Sequence, residues 1–347
     1  MRSLLLILLL GLITPAQAQF GKSVGGSTAQ FLRLGAGARA LGMGDAYGPI
    51  AEGPNAMYWN PAGLAQVSRP EIAYSHVELL RFFHHDYIAY AHPVALLRGT
   101  LAIAGTVFYQ DSLPLVTNTN KRIGDFGGHS EVISIGYGSA TQIGERFATR
   151  DRGYFEDFYH IEGADLPLYH NDEVWEGNLL FGGAFKFIQE TLHTNSARAF
   201  AFDGGVLFRH SQLPQASWSF AIKNIGTRAR FIREYESLPA QIDMGVAFDA
   251  RLGRRGDHRL LPAFEIALPY YGRPYGKIGV EYTFPISLEN SAAVRFGYKS
   301  ASAPDLNPLT GLTGGIGMRV RRVTVDFGFQ PMAELGEVYR IGLGYRF

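Results

Sequence analysis

The residues best suited to chemistry are a group of histidines and a scattered set of charges. His84-His85, with His76 and His92 nearby, suggests a metal site. Adjacent residues on a strand, however, point to opposite faces, so the pair cannot close on one ion. Asp203, Asp243, Glu281 and Asp326 fall among strand-like segments with Lys277 and Arg295. Two facing carboxylates could hydrolyse a substrate as general acid and base, but charges of both signs more commonly form structural ion pairs. Gly42-Met43-Gly44-Asp45 has two glycines of a phosphate-cradling turn, yet lacks the third glycine and the strand–helix setting of a dinucleotide site. No HExxH, Gly-x-Ser-x-Gly, phosphate loop or cysteine pair occurs. The chain reads as a non-enzyme without metal or cofactor.

The elements that must position these charges are strands, because the charges alternate with large apolar residues at a period of two. Phe200, Phe202, Val206 and Phe208 oppose Asp203 and Arg209. Ile278, Val280, Tyr282 and Phe284 oppose Lys277 and Glu281, and Val294, Phe296 and Tyr298 oppose Arg295. Val323, Val325, Phe327 and Phe329 oppose Asp326, and Ile242, Met244, Val246 and Phe248 oppose Asp243. From Tyr339 to Phe347 every odd position is apolar and every even one is glycine or arginine. With weaker segments at 71–79, 86–94, 99–110, 130–140, 177–189, 216–224, 258–268 and 312–320, the tally is about fourteen strands. Their lengths suit tilted membrane strands of about 9–11 residues. A soluble β-sandwich also alternates, but aromatics facing charges on nearly every strand favour an antiparallel transmembrane β-barrel with the charges lining its lumen.

Composition agrees. Residues 1–18 read as a secretory signal peptide, with Arg2, an apolar run from Leu4 and the small-x-small site Ala16-Gln17-Ala18. Without that leader the chain has 31 basic and 31 acidic residues, a neutral balance that gives no reason to expect nucleic acid. The absence of cysteine excludes disulfides and a lipoprotein anchor. Forty-two glycines and 13% aromatics suit a barrel with aromatic girdles. The partner implied is outer-membrane lipid.

Residues 19–70 do not alternate. They are glycine-rich, yet Phe31, Leu41, Met43, Met57 and Trp59 make them too apolar for a disordered arm. The expected arrangement is therefore a plug or hatch over 19–70 inside a barrel spanning 71–347. The lumen charges Asp203, Asp243, Lys277, Glu281, Arg295 and Asp326 would pair with one another and with the plug, filling the lumen.

Two blocks, Ala38-Arg39-Ala40-Leu41-Gly42-Met43-Gly44-Asp45-Ala46 and Tyr58-Trp59-Asn60-Pro61-Ala62-Gly63-Leu64-Ala65, resemble the opening of the PorV/PorQ family, within the FadL-like superfamily of fourteen-stranded outer-membrane barrels with an N-terminal hatch. Weaker likenesses continue at Gly183–Lys186, Phe202–Gly205, Lys223–Gly226 and Ser237–Pro239. The resemblance implies that Arg39, Gly42, Gly44, Asp45, Asn60, Pro61, Ala62 and Gly63 form the hatch motif. It implies two functions: PorV-type members serve type IX protein secretion and its cargo, whereas FadL-type members admit hydrophobic small molecules. A charged lumen inclines the reading toward secretion.

Strand parity, with the C-terminus periplasmic, sets residues 141–176 on the periplasmic side, where a short turn is usual. This reads either as an inserted loop with seven acids between Glu156 and Glu176, or as the sign of a strand miscounted, which would move the segment to the other side.

Overall fold

The computed structural model describes residues 27–347 except 80–81, 120, 144–176, 193–194, 212, 232–233, 254–255, 301–307 and 333–335. The expected leader, the stretch 19–26 and residues 144–176 of the insertion lie outside the described residues.

Fourteen antiparallel strands close into a barrel. They are β1 (Glu71–Leu79), β2 (Phe83–Val94), β3 (Gly99–Gln110), β4 (Gly128–Ile143), β5 (Gly177–Leu192), β6 (Asn195–His210) and β7 (Ala216–Gly226). The second half comprises β8 (Gln241–Phe248), β9 (His258–Pro269), β10 (Tyr275–Pro285), β11 (Asn290–Lys299), β12 (Leu312–Val320), β13 (Val323–Pro331) and β14 (Glu337–Arg346). Each pairs with its neighbour in sequence, and β14 returns to β1 with Arg346 opposite Glu71 and Tyr339 opposite Glu78. No sheet edge is left in the wall, which removes the unpaired N–H and C=O groups that a membrane would penalise.

The period of two becomes an inside and an outside. On β6, Ala197, Ala199, Ala201 and Asp203 are buried while Phe200 and Phe202 face outward. On β14, Arg340 is 2% exposed and the next residue, Ile341, 49%. Several strands outrun the alternating apolar pattern. β5 continues through Gln189, Glu190 and Thr191 to Leu192, paired throughout with Asn195–Arg198 of β6, because backbone pairing carries on beyond the apolar band. Two of the connections, after β3 and after β7, each hold a small hairpin, Leu113–Val116 with Arg122–Phe126 and Ala229–Phe231 with Glu234–Glu236.

Residues 27–70 lie inside the wall and run from rim to rim. At one end Ser27 bridges Ser237, in the connection between β7 and β8. At the other, Pro70 accepts a hydrogen bond from the Phe347 N–H at 3.0 Å, beside the C-terminus. Between them come α1 (Ala38–Gly42), α2 (Ala56–Trp59) and 3-10 turns at Gln30–Arg33, Gly48–Ile50 and Pro61–Gln66. The short pieces divide the wall among them: α1 packs on β11–β14, the 48–50 turn on β7–β9, and the 61–66 turn on β3–β6.

Glycine on the inner wall makes this approach possible. A Cβ at Gly279 or Gly297 would run into the Met43 backbone, and one at Gly182 into that of Pro61. The inner segment reciprocates at Gly44, whose φ of +62° favours glycine and whose Cβ would sit 2.6 Å from the Tyr298 nitrogen.

Candidate functional site

Three tiers follow one another down the lumen. The tier farthest from the C-terminus is apolar. Phe31 stacks on Phe108 with ring centroids 5.9 Å apart, and Phe108 stacks on Phe83 at 5.7 Å. Leu32, Val132, Ile188 and Leu238 pack into the same cluster. Glu190 anchors the chain there, its Oε2 accepting from Thr28 Oγ1 at 2.7 Å and from the Ala29 N–H at 3.2 Å.

The middle tier is ionic, and every predicted lumen charge lies in it. Arg39 reaches from α1 to grip Glu281 with Nε at 2.7 Å and Nη2 at 2.8 Å, and its Nη1 pairs with Glu52. Arg295 donates to the same Glu281 at 2.6 Å and to Asp326 at 2.7 Å. Lys277 pairs with Glu265 and lies 3.7 Å from Asp243, which Lys223 holds at 2.5 Å. Lys223 and Lys277 also lie over the Trp59 ring, at 5.3 and 5.6 Å from its centroid. Glu265 closes the loop to the inner segment by accepting from the Gly48 N–H at 2.7 Å.

Asp203 stands in a β-bulge between β6 and β7. It pairs with Lys186 at 2.5 Å and accepts from the Asn224 N–H at 2.7 Å. Asn224 itself sits at φ 58°, a conformation that asparagine tolerates better than most residues. The Lys223-Asn224 likeness noted in the sequence thus falls on a backbone irregularity braced by the Asp203–Lys186 ion pair.

The hatch-motif residues are brought together by these contacts. Asp45 pairs with Lys299 at 2.7 Å. Burial alone would raise its carboxyl, but Lys299 and then Arg340 outweigh that and hold it below the usual value. Asn60 is wholly buried; its Oδ1 accepts from the Ala62 N–H at 3.1 Å and its Nδ2 donates to the Val206 carbonyl at 3.2 Å. Pro61 opens the following turn, where its missing N–H costs nothing. Gly42 lies against Gly315 and Arg295, and Gly63 against the Ala51 carbonyl.

Sequence reasoning missed Glu265, Glu52 and the clamp on Trp59. Glu265 shares the inward parity of Leu261, Ala263 and Ala267, a usable signal. Glu52 and Trp59 sit in a non-periodic stretch that offers none. The histidines separate as expected: His85 is buried in the lumen, whereas His84 stacks outside on Tyr109 at 5.0 Å. Among the described residues no three His, Asp or Glu side chains gather as metal ligands.

The third tier is a bowl of about 1820 Å³ at the C-terminal rim. Its cations are all arginine, and they outnumber its carboxylates eleven to seven. Glu52 stands on its floor. Burial would raise that carboxyl, but Arg39, then Arg259 and Arg319, bring it down to about 2.

No protein-family model and no curated protein matches the sequence. Solved structures do match the fold. The toluene transporter TodX of Pseudomonas putida superposes with a TM-score of 0.51 over 89% of this chain and 96% of that one, at 9% identity. A Pseudomonas aeruginosa FadL homologue gives 0.51 over 90% and 98%, also at 9% identity. The monoaromatic hydrocarbon channel CymD gives 0.50 over 90% and 98%, at 10% identity. At such identities the likeness is one of fold: a fourteen-stranded barrel of the FadL-like kind.

Proposed function

We propose that this chain is an outer-membrane barrel that admits small hydrophobic molecules, with residues 27–70 as its plug and the C-terminal rim facing the periplasm. The observation that carries the reading is the apolar tier: Phe31, Phe83 and Phe108 line one end of a lumen whose middle is closed by ion pairs. A hydrophobic solute gains roughly 25 cal/mol for each Å² of apolar surface it buries there. It gains nothing from the ionic tier, so the apolar tier is where it binds. The fold shared with hydrocarbon channels supports this choice over the secretion reading, as an argument by analogy.

The secretion reading keeps one observation in its favour. The residues that resemble the PorV/PorQ family, Arg39, Asp45 and Asn60, are those that fasten the plug to the wall, as a closed scaffold for a partner would require. A deletion strain separates the two. Slower uptake of toluene or long-chain fatty acid, with an unchanged profile of secreted proteins, is the expected result, and Phe108→Asp should reproduce the slow uptake. Normal uptake with cargo retained in the periplasm would overturn the transport reading and install the other.

A further inference from the structure

We infer that the bowl at the C-terminal rim is a binding site for multivalent oxyanions, molecules that present two or more carboxylate or phosphate groups at once. This goes beyond the proposed transport function and holds whichever solute the apolar tier accepts.

The argument starts with the pairing of its arginines. Arg259 has Asp249 at 2.9 Å, Arg346 has Glu71 at 2.8 Å, and Arg39 has Glu52 and Glu281. Arg209 has only the neutral Gln66 Oε1, at 2.7 Å, and no described carboxylate pairs with it or with Arg319. Both sit on the inner face of the wall and line the bowl. Two guanidinium groups with no carboxylate within ion-pair distance, in a cavity that already carries an excess of arginine, leave a positive field, which low-dielectric walls focus further.

Geometry narrows the ligand. Arg209, Arg259 and Arg319 belong to β6, β9 and β12, so Arg259 lies three strands from each of the others, and Arg209 and Arg319 lie six strands apart around the ring. A single small anion meets one of them; a molecule with several oxyanion groups meets them together. The planar guanidinium fork matches the two oxygens of a carboxylate or phosphate, which a lysine would not. The volume, about 1820 Å³, exceeds the roughly 300–1,000 Å³ of most small-molecule sites and leaves room for such an extended ligand beside Glu52.

The test is calorimetric titration of the purified full-length barrel with tripolyphosphate and, separately, citrate, with ionic strength held constant by sodium chloride. Saturable binding is expected, weakened at least tenfold in R209Q/R319Q. Arg122→Gln, at an exposed arginine paired with Asp125 in the hairpin after β3, away from the bowl, should bind like the parent. Heat-modifiable migration on gels checks that each variant is folded. Should the double glutamine variant fail that check, R209K/R319K keeps the charge and loses the fork, and it should bind several-fold more weakly than the parent. Binding of citrate alone assigns carboxylates, and binding of tripolyphosphate alone assigns phosphates. Heats no greater than those of matched chloride, or unchanged affinity in the double variant, would overturn the inference.

Discussion

Lys277→Met is the sharpest probe of the ionic tier. Lys277 is 2% exposed and serves Glu265, Asp243 and the face of Trp59 together. Removing it leaves Glu265, itself wholly buried, with only the Gly48 N–H. Breaking a buried pair from one side costs about 3–5 kcal/mol, and the lost cation–π contact adds roughly 0.5–2 kcal/mol. The wall pairing of β10 does not depend on this side chain, so the loss falls on docking of the inner segment. At 1.36 kcal/mol per tenfold, the lower estimate shifts undocking by about two orders of magnitude. Native-state hydrogen exchange at Gly48 and Trp59 reads this directly. K277M/E265Q keeps an acceptor for Gly48 and removes the stranded charge, so most of the stability should return, because replacing both members of a buried pair is often close to neutral. A single variant that exchanges like the parent, or a double variant as loose as the single, would refute the idea that this pair is balanced inside the lumen.

Other outcomes follow from the same contacts. Asn60→Ala loses the bonds to the Ala62 N–H and to the Val206 carbonyl; docking should weaken by about 1–2 kcal/mol, read from the urea midpoint of Trp59 fluorescence. Gly44→Ala forces a Cβ against the Tyr298 backbone at positive φ, so the heat-modifiable folded band should nearly vanish. Glu52 has its carboxyl held down to about 2 against an ordinary value of 4.5. A depressed value means that its stabilisation is full above about pH 4.5 and fades as pH falls toward 2. Melting curves between pH 6 and 2.5 should therefore show Glu52→Gln less stable than the parent at pH 6 and converging on it at the acid end; a constant gap would contradict the assignment.

The wall was legible because a membrane barrel writes itself into the chain at a single period. Strands β3 and β12 begin and end where the alternation does, at Gly99–Gln110 and Leu312–Val320. Ends such as Phe83 and Leu192 were not legible, since pairing there continues without an apolar face. The inner-facing charges could be read from parity, and their partners could not: whether Glu281 meets Arg39 or Arg295 depends on how α1 leans on β10 and β11, and it meets both. The order of the inner segment was hidden for a similar reason. Its 3-10 turns and two short helices carry no period, and what fixes them is glycine on the opposite wall, more than 100 residues away in sequence.

The inner segment occupies the lumen from one rim to the other, and its end at Pro70 leads directly into β1, the strand that must meet β14 to seal the ring. The fit along that path is close, with no room for a Cβ between the inner backbone and the wall at Gly182, Gly279 or Gly297. Contents and closure of the tube are thus continuous along the chain: the segment that fills the lumen is the covalent lead-in to the strand at which the ring closes.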